Sequence, residues 1–424
     1  NQTTRRAYDS WRLPPNMSAQ LVEQWPLKKL SEVIEIQNGF AFSSREYTEE
    51  GHFLIRIGNV QDGELNLNKP KYVGLDSKSS KFELSEGDLL TSLTGNIGRV
   101  ARVEKSHLPA ALNQRVARMK VSDARLINSD FLYYFLRSDG FRNTLTASGH
   151  GTAQKNVSTK AIGEIEIPVP PLEEQQRIVK ILDGAFADIE INSKQIQSRI
   201  NDSNELFSSA LSEIFSCPNV DWNKAKLNEI TTKIGSGATP RGGKKSYKTE
   251  GVSLIRSMNI HDKYFKHKDL AHIDESQAEK LSNVVVESND VLLNITGASV
   301  ARCNLAPREI IPARVNQHVM IIRPMHEMLS PRFLHFMLIS KPYKDKLLAT
   351  GEQGGTTRQA ITKSQVENFE VSYPPSIQEQ EGIVVRITSL LIESEKLESA
   401  YSRKLESMDE LKQSILQEAF NGTL

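Results

Sequence analysis

The sequence predicts an α+β protein in which two β-rich globular domains alternate with two long helices that pair with each other. Three observations predict this architecture. The chain repeats itself with a period near 200 residues, a Pro-Pro pair closes each β-rich region, and an apolar repeat near 3.5 residues follows each pair. A length of 424 residues suits two domain-sized copies.

The internal duplication can be followed through most of the chain. Gly51–Asn59 (GHFLIRIGN) corresponds to Gly251–Asn259 (GVSLIRSMN), and further matches follow in the same order. They are Asp88-Leu89-Leu90 with Asp290-Val291-Leu292, Thr94-Gly95 with Thr296-Gly297, Asn113-Gln114 with Asn316-Gln317, and Pro170-Pro171 with Pro374-Pro375. The offset drifts only from about 200 to about 205 residues, so few insertions separate the copies. A unit of this size is a domain plus a helix and not a solenoid repeat.

The domain boundaries come from the Pro-Pro pairs and the change in periodicity. Short β-rich runs separated by Gly, Asn, Asp and Pro predict the two globular domains, each interrupted by one helical segment, Asp130–Arg137 and Pro331–Ile339. The predicted segments are 1–26 (leader or linker), 27–171 (first domain), 172–216 (first long helix), 217–221 (linker), 222–375 (second domain) and 376–424 (second long helix).

The two helices are predicted from their starts and from their apolar seams. Proline suits the first turn of a helix and disfavours a helical residue before it, so each Pro-Pro pair marks a helix start. A helix of about 45 residues is roughly 68 Å long and needs a partner along its length, and the other copy's helix is the obvious one. The predicted seam residues are Ile178, Leu182, Ile189, Ile196, Ile200, Phe207, Ile383, Ile387, Leu390, Leu397, Met408 and Leu411.

Composition indicates an ordinary globular protein. Apolar residues make up 38% and charged residues 25% of the chain, which excludes a collagen and a wholly disordered chain. No apolar run approaches the roughly 18 residues of a membrane span, and two cysteines cannot build a disulfide framework. We therefore expect a soluble, cytoplasmic protein without a membrane partner.

The charge is unevenly distributed. The whole chain carries a formal net charge of +1, but residues 27–171 carry +2 and residues 222–375 carry +7, whereas each long helical segment carries −4. Basic domains suit a polyanion, and acidic helices are expected to face away from it. For the first domain, +2 is also an ordinary surface excess.

A search for chemical motifs predicts no catalytic or metal-binding residue. The Gly-rich segment Gly237–Lys244 nearly spells a phosphate-binding loop, but its spacing is wrong and Lys245 stands where the magnesium-binding Ser or Thr belongs. No Asn/Asp-Pro-Pro-aromatic tetrapeptide, nuclease motif or His-Glu-x-x-His pattern is present. We expect a non-catalytic chain that holds no cofactor and no metal of its own.

Polar and Gly-rich loops recur in both copies and are the candidate DNA-binding elements. Arg, Lys, Asn and Gln reach base edges, while Gly, Ser and Thr let backbone amides approach phosphates. An ordinary hairpin turn explains a single such loop equally well. The candidate residues are Ser43, Arg45, Arg56, Asn59, Thr94, Asn96, Arg99, Asn113, Gln114, Arg115, Gln154, Lys155, Thr239, Arg241, Lys244, Lys245, Arg256, Asn259, Thr296, Arg302, Asn316, Gln317, Thr357 and Arg358.

Together these motifs resemble the DNA-specificity (S) subunits of type I restriction–modification enzymes. The most specific part of the resemblance is the helix start Pro-Pro…Glu-Gln…Ile-Val, which occurs at Pro170–Val179 and again at Pro374–Val384. The resemblance covers about Leu27 to Leu424. The second copy departs from the first by one extra residue before Glu379-Gln380.

The resemblance implies a function for each part of the chain. Each domain would be a target recognition domain that reads one half of a bipartite double-stranded DNA target, and the helices would form an antiparallel coiled coil that sets the spacer. Two methyltransferase subunits would dock around them and methylate adenine N6 with S-adenosylmethionine, and a further restriction or translocase subunit would use ATP and Mg²⁺. Two alternatives remain open, namely a coiled-coil scaffold whose domains bind protein and a diverged DNA methyltransferase.

Overall fold

The computed structural model describes residues 25–149, 156–216, 220–352 and 360–424. The chain forms two compact units, and each takes in parts of both long helices. The first unit comprises the described residues through Ile196 together with Arg403–Leu424. The second unit comprises Gln197–Ser402. Each unit therefore contains one β-rich domain, one helix start and one helix end.

The first unit has two four-stranded sheets and one two-stranded ribbon. The sheet orders are β2-β9-β6-β7, which is antiparallel throughout, and β3-β5-β4-β8, in which β4 and β8 run parallel; β1 and β10 form the ribbon. The strands are β1 (Leu27–Lys29), β2 (Ile34–Asn38), β3 (Tyr47–Thr48), β4 (His52–Ile55), β5 (Tyr72–Val73), β6 (Leu89–Ser92), β7 (Val100–Arg102), β8 (Ala110–Leu112), β9 (Val116–Val121) and β10 (Glu166–Pro168).

The second unit repeats the antiparallel sheet and the ribbon, and in its other sheet the fourth strand, β15, lies at the opposite edge from β3 of the first unit. Its sheet orders are β12-β19-β16-β17 and β14-β13-β18-β15, the latter with β13 and β18 parallel, and its ribbon is β11-β20. The strands are β11 (Asn223–Lys226), β12 (Thr231–Ser236), β13 (Val252–Ile255), β14 (Ala271–Ile273), β15 (Val285–Val286), β16 (Val291–Asn294), β17 (Cys303–Leu305), β18 (Ala313–Val315), β19 (Val319–Pro324) and β20 (Glu370–Tyr373).

Each domain contains short helices and continues into one of the long helices. The helical segments predicted at Asp130–Arg137 and Pro331–Ile339 are confirmed as Ser129–Leu136 and Pro331–Ile339, and each is followed by a second helix that was not predicted, Asp139–Ala147 and Lys341–Glu352. The helices are α1 (Leu30–Val33), α2 (Ser129–Leu136), α3 (Asp139–Ala147), α4 (Thr159–Gly163), α5 (Leu172–Ser216), α6 (Glu275–Glu279), α7 (Pro331–Ile339), α8 (Lys341–Glu352), α9 (Lys363–Glu367) and α10 (Ile377–Phe420).

The core of each domain is completed by the end of a long helix. In the first unit Phe420 at the end of α10 packs its ring 5.1 Å from Phe131 and 5.3 Å from Phe135, measured between ring centroids. In the second unit Phe215 at the end of α5 lies 5.4 Å from Phe333. Ring burial of this kind contributes roughly 2 to 3 kcal/mol per aromatic side chain, so each domain depends on a helix end distant in sequence.

The two long helices contact each other within each unit. In the first unit the Arg177 guanidinium on α5 donates to the Leu424 carbonyl at 2.9 Å, just beyond the end of α10. Further along α5, Lys194 and then Lys412 of α10 lower the pKa of the Glu190 carboxyl. In the second unit Ser203 of α5 and Ser394 of α10 are 3.3 Å apart. These contacts confirm the predicted antiparallel pairing within the first unit, and the Ser203–Ser394 contact shows that the two helices also meet within the second.

The seam of α5 follows the prediction, but the seam of α10 follows it only in part. The predicted α5 residues are all buried, and so is Ile387 on α10, whereas Ile383, Met408 and Leu411 are only partly buried. Leu390 and Leu397 were wrongly placed in the seam, since they are 39% and 46% exposed. The buried α10 positions are instead Gln380, Val384, Ile387, Ser394, Ile415, Leu416 and Ala419.

A buried glutamine fixes each long helix to its domain. The Gln175 side chain accepts from the Asn128 amide at 2.7 Å and donates to the carbonyls of Leu126 and Pro170 at 2.9 and 2.8 Å. Its amide group thereby satisfies three backbone groups at the junction between α2 and α5. A buried amide left unpaired is costly, so these bonds hold the helix in one rotational setting.

The second copy makes the same clasp. The Gln380 side chain accepts from the Ser330 amide at 2.8 Å and donates to the Met328 and Pro374 carbonyls, each at 2.9 Å. The Gln of the repeated Glu-Gln motif therefore has a structural role in both copies, which is to join the long helix to its domain. Gln380 also lies in the buried seam of α10, so the clasp and the seam agree on the same helix register.

Candidate nucleic-acid interface

The Ile-Arg-x-x-Asn motif builds a tight hairpin in each domain. The Asn59 carboxamide accepts from the Arg56 amide at 3.0 Å and donates to the Asn66 carbonyl at 2.7 Å. Asn259 accepts from the Arg256 amide at 3.1 Å and donates to the Lys266 carbonyl at 2.9 Å. In each domain one buried Asn side chain thus holds the two arms of its hairpin together.

These contacts change the candidate set. Asn59 and Asn259 are 3% and 0% exposed, and their amides are occupied within their own hairpins. The structure therefore places them as buried supports of a loop. Arg56 and Arg256 are half-buried and donate to the carbonyls of Lys69 and Asp269. Sequence reasoning missed this role because an Asn in a polar loop has the same signature in either role.

The Thr-Gly loop follows the central strand of the antiparallel sheet in each copy. Its last turn needs a left-handed residue, which is Gly98 (φ +81°) in the first copy and Ala301 (φ +63°) in the second. An L-residue with a Cβ pays roughly 1 to 2 kcal/mol for this conformation. The strain lies directly before Arg302, and backbone strain of this kind concentrates at functional sites.

In the second unit, hydrogen bonds join three candidate loops into one surface. Thr239 donates to the side-chain oxygen of Gln317, and the Gln317 amide lies 3.0 Å from Nε2 of His318. Nδ1 of His318 is 2.6 Å from the hydroxyl of Thr296. A proton on Nδ1 satisfies both contacts, with Nε2 accepting. The basic loop at 239–245 is therefore linked to the Thr-Gly loop.

A glycine in each copy permits this close approach. A Cβ on Gly39 would lie 2.1 Å from the Asn113 carbonyl oxygen, and one on Gly237 would lie 1.8 Å from that of Val315. Real Cβ atoms do not approach carbonyl oxygens so closely. These two glycines lie in the loops that differ most in sequence between the copies, Gly39–Arg45 and Gly235–Lys245, and they are needed to bring those loops against the Asn-Gln turns.

The remaining candidates differ in accessibility. Asn96 and the side chain of Arg99 lie in the Thr-Gly loop of the first copy, where Arg99 donates to Gln61 at 2.6 Å. The exposed candidates are Ser43, Arg45, Asn96, Gln114, Arg115, Arg241, Lys245 and Gln317. The half-buried candidates are Arg56, Arg99, Asn113, Thr239, Arg256, Thr296 and Arg302. Thr94 and Asn316 are buried, at 8% and 4% exposure.

Some candidates fall outside the described part of the chain. Gln154 and Lys155 of the first copy and Thr357 and Arg358 of the second lie outside the described residues, as does the side chain of Lys244. The residues that follow these two gaps are placed, since Asn156 pairs with Thr94 and Ala360 with Thr296 as isolated bridges. In each copy the described chain therefore resumes beside the Thr-Gly loop.

The tip of the hairpin carries the largest difference between the copies. In the first copy Gln61 pairs with Arg99 and Asp62 with Arg142. In the second copy His261 occupies the position of Gln61. Its ring stacks on that of Tyr264, with 4.4 Å between the ring centroids and 10° between the ring planes. Burial, then Arg302 and Lys266, lower the pKa of His261, so its imidazole is neutral at pH 7.

Among the described residues there is neither a metal-ligand cluster nor a reactive cysteine. The placed part of the chain contains no group of three His, Cys, Asp or Glu side chains able to hold a metal ion. Cys303 is buried, and burial raises the pKa of its thiol, which disfavours the nucleophilic thiolate. No helix within the ranges given above is long and apolar enough to cross a membrane.

Comparison with known proteins finds specificity subunits of type I restriction enzymes. The sequence profile of the type I restriction modification DNA specificity domain matches residues 22–202 and again residues 219–406. The EcoBI specificity subunit of Escherichia coli is 26% identical over 429 residues, covering 95% of this chain and 86% of the relative. The EcoKI specificity subunit of Escherichia coli K12 is 23% identical over 442 residues, covering 96% of this chain and 91% of the relative.

A solved structure has the same fold. One chain from a study of assembly and conformational transition in the type I R-M system aligns with a TM-score of 0.69 and 22% sequence identity. The alignment covers 97% of this chain and 100% of that chain. At this identity the likeness concerns the fold, and it agrees with the two-copy architecture found here.

Proposed function

The chain belongs to the type I restriction–modification DNA specificity family, and we propose that each of its two domains reads one half of a bipartite DNA target. The chain is thus a DNA sequence-recognition subunit. The carrying observation is the duplication of the candidate surface: each unit repeats the same hairpin, Thr-Gly loop and Asn-Gln turn on a similar sheet topology. Two similar heads suit a target with two parts.

The loops that differ between the copies explain how the halves would differ. Both domains share the hairpin support and the clasp, whereas the segments that open at Gly39 and Gly237 share little sequence. The second segment carries Arg241 and Lys245, both exposed, and its Thr239 donates to Gln317. Base edges are read by Arg, Lys, Asn and Gln at about 1 to 3 kcal/mol per good contact, so divergent loops on one scaffold would select different bases.

The long helices would set the spacer between the two half-sites. Leu172–Ser216 is 45 residues long, and Ile377–Phe420 is 44 residues long. At about 1.5 Å per residue each helix spans roughly 66 Å, whereas DNA rises about 3.4 Å per base pair. A spacing device of this length would turn distance along the duplex into part of the recognised target.

Chemistry would belong to the partners. We place adenine N6 methylation, with its S-adenosylmethionine, in two methyltransferase subunits that dock on the helices, and ATP- and Mg²⁺-dependent steps in a restriction or translocase subunit. The chain itself would be non-catalytic and would act in the cytoplasm. The acidic helices, each with a net charge of −4, would repel DNA and leave their exposed faces to protein.

The spacer proposal is tested by shortening both helices together. Deleting one seven-residue repeat from α5 and the facing repeat from α10 keeps the seam in register and removes roughly 10 Å, close to three base pairs. Sequencing modified adenines in cells that carry each variant should give the same two half-sites with a shorter spacer, or no modification. An unchanged spacer with full modification would refute the spacing role.

The alternative functions predict different outcomes of the same experiment. A protein-binding scaffold would give no modified motif that depends on this chain, with wild type or variant. A diverged methyltransferase would modify DNA when the chain is expressed without partner subunits. Only the proposed function gives a bipartite motif that requires both this chain and methyltransferase subunits.

A further inference from the structure

The hairpin tip of the second domain, His261–Lys268, is rigidly mounted on its unit. The Asp262 carboxylate accepts from the Cys303 amide at 3.0 Å and from the Lys344 ammonium at 2.5 Å. The Asp262 carbonyl lies 3.0 Å from Nε2 of the buried His335. The next residue, Lys263, donates to the Asn204 side chain at 2.6 Å. Two consecutive tip residues are therefore tied down by four contacts.

The residues on either side of this anchor, His261 and Tyr264, contact each other. His261 donates its backbone N–H to the Tyr264 carbonyl at 3.2 Å, which closes the turn, and their rings stack. Tyr264 is 56% exposed, although it is a large aromatic side chain that gains by burial. An exposed aromatic on a rigid turn is already held in position, so a partner that covers it pays little ordering entropy.

Basic side chains surround the stacked pair. Arg302 and Lys266 are both close enough to act on the His261 ring electrostatically. The Arg302 guanidinium has no hydrogen-bond or ion-pair partner among the described residues, whereas its first-copy counterpart Arg99 is engaged by Gln61. The Arg302 guanidinium is therefore available to bind an anion, and the exposed ring of Tyr264 offers a flat apolar surface near it.

The first copy lacks this chemistry at the same place. Its tip, residues 61–68, contains one aspartate and one glutamate and no basic residue, whereas residues 261–268 contain three lysines and one aspartate. Glu64 occupies the position of Tyr264. The backbone hairpin is the same in both, because Asn66 and Lys266 each donate to the buried Asn at 2.7 Å. The two hairpin tips thus differ in charge and in aromatic character, although their backbone hydrogen bond is the same.

We propose that the hairpin tip of the second domain is an additional DNA-contacting element in which Lys266 and Arg302 bind phosphates and the His261–Tyr264 pair lies against the bases. This inference rests on the proposed function and goes beyond it by adding His261, Tyr264 and Lys266, which the repeated motifs do not mark. A neutral imidazole offers one donor and one acceptor to base edges, and the Tyr264 ring holds it in orientation. The first domain reads its half-site without this element.

The test uses the full chain copurified with the methyltransferase subunits of its host. The wild-type complex first selects its target from a pool of random-sequence DNA duplexes, and the selected duplex, fluorescently labelled, is then the probe. Tyr264→Ala and His261→Ala should each weaken binding about tenfold, as expected for one lost base contact. Tyr264→Phe should bind like wild type because the ring is retained. Glu64→Ala, at the same hairpin position of the first domain, is the matched control and should also bind like wild type.

The phosphate contacts have a separate readout. Lys266→Gln should reduce the slope of log K against log salt concentration by about one, as expected when one phosphate contact is lost. Thermal unfolding of every variant checks that the fold is intact, and Lys266→Gln leaves the aromatic stack in place.

Each outcome is decisive for one of the two proposals. A wild-type complex that selects no sequence would overturn the proposed function itself. A wild-type complex that selects a target, while Tyr264→Ala and His261→Ala bind it as tightly and Lys266→Gln keeps the salt slope, would overturn the hairpin inference alone.

Discussion

The glutamine clasp allows the sharpest test of how the helices are fixed to the domains. In Gln380→Ala, the Ser330 amide and the carbonyls of Met328 and Pro374 all lose their partner. Gln380 is fully buried, so water does not replace the lost bonds without opening the junction. At about 1 to 2 kcal/mol for each group left unpaired, the free energy of unfolding should fall by about 3 to 6 kcal/mol.

The control is the neighbouring Gln378, which is the same residue type on the same helix turn but is exposed. For a unit of 150 to 250 residues, a loss of about 3 kcal/mol lowers the unfolding temperature by about 6 °C or more. Gln380→Ala should show this loss in thermal unfolding, and hydrogen exchange should increase around Ser330. Gln378→Ala should match wild type. Equal stability of the two variants would refute the clasp.

Three further substitutions test the packing. Ala301→Gly should raise the free energy of unfolding by about 1 kcal/mol, because it relieves the left-handed strain. Urea unfolding measures this change, and a lower free energy of unfolding would show that the turn is not strained. Gly184→Ala should also add about 1 kcal/mol, since it is an exposed helix position with open space around its Cβ, and lower stability would show a contact that the structure lacks. Phe215→Ala should cost about 3 to 5 kcal/mol and speed hydrogen exchange around Phe333, whereas Leu206→Ala on the same helix should not; equal effects would contradict the role of the α5 end in the second core.

Much of the fold was accessible from the sequence because the duplication and the helix starts are encoded locally. The Pro-Pro pairs gave helix starts at residues 172 and 376, and the helices begin at Leu172 and Ile377. The α5 seam was predicted correctly along its middle part because Ile189, Ile196 and Ile200 each lie between two polar residues. Local signals of this kind do not depend on the tertiary structure.

The α10 register could not be predicted because the sequence offers two registers one residue apart. Ile383 and Val384 are adjacent and both apolar, as are Leu390 and Leu391, so periodicity alone does not choose between them. The choice is made by Gln380, whose three hydrogen bonds lie at the domain surface. A tertiary contact thus overrides the apolar count and places Ser394 in the seam instead of Leu397.

The candidate interface could be predicted only in part. The recurring loops do converge in the second unit, where Thr239, Gln317 and Thr296 are linked through His318. Repetition alone could not separate residues that support a loop from residues that the loop exposes, and Asn259 belongs to the first kind. The His261–Tyr264 pair was missed because it occurs in only one copy.

The central claim, that two domains read two independent halves of one target, is tested most directly by exchanging one domain. Residues 222–375 are replaced by the corresponding domain of another family member, and modified adenines are mapped in cells that carry the chimaera and in cells that carry the parent. The account predicts a motif in which one half is new while the other half and the spacer are unchanged. A motif altered in both halves, or unchanged in both, would contradict it.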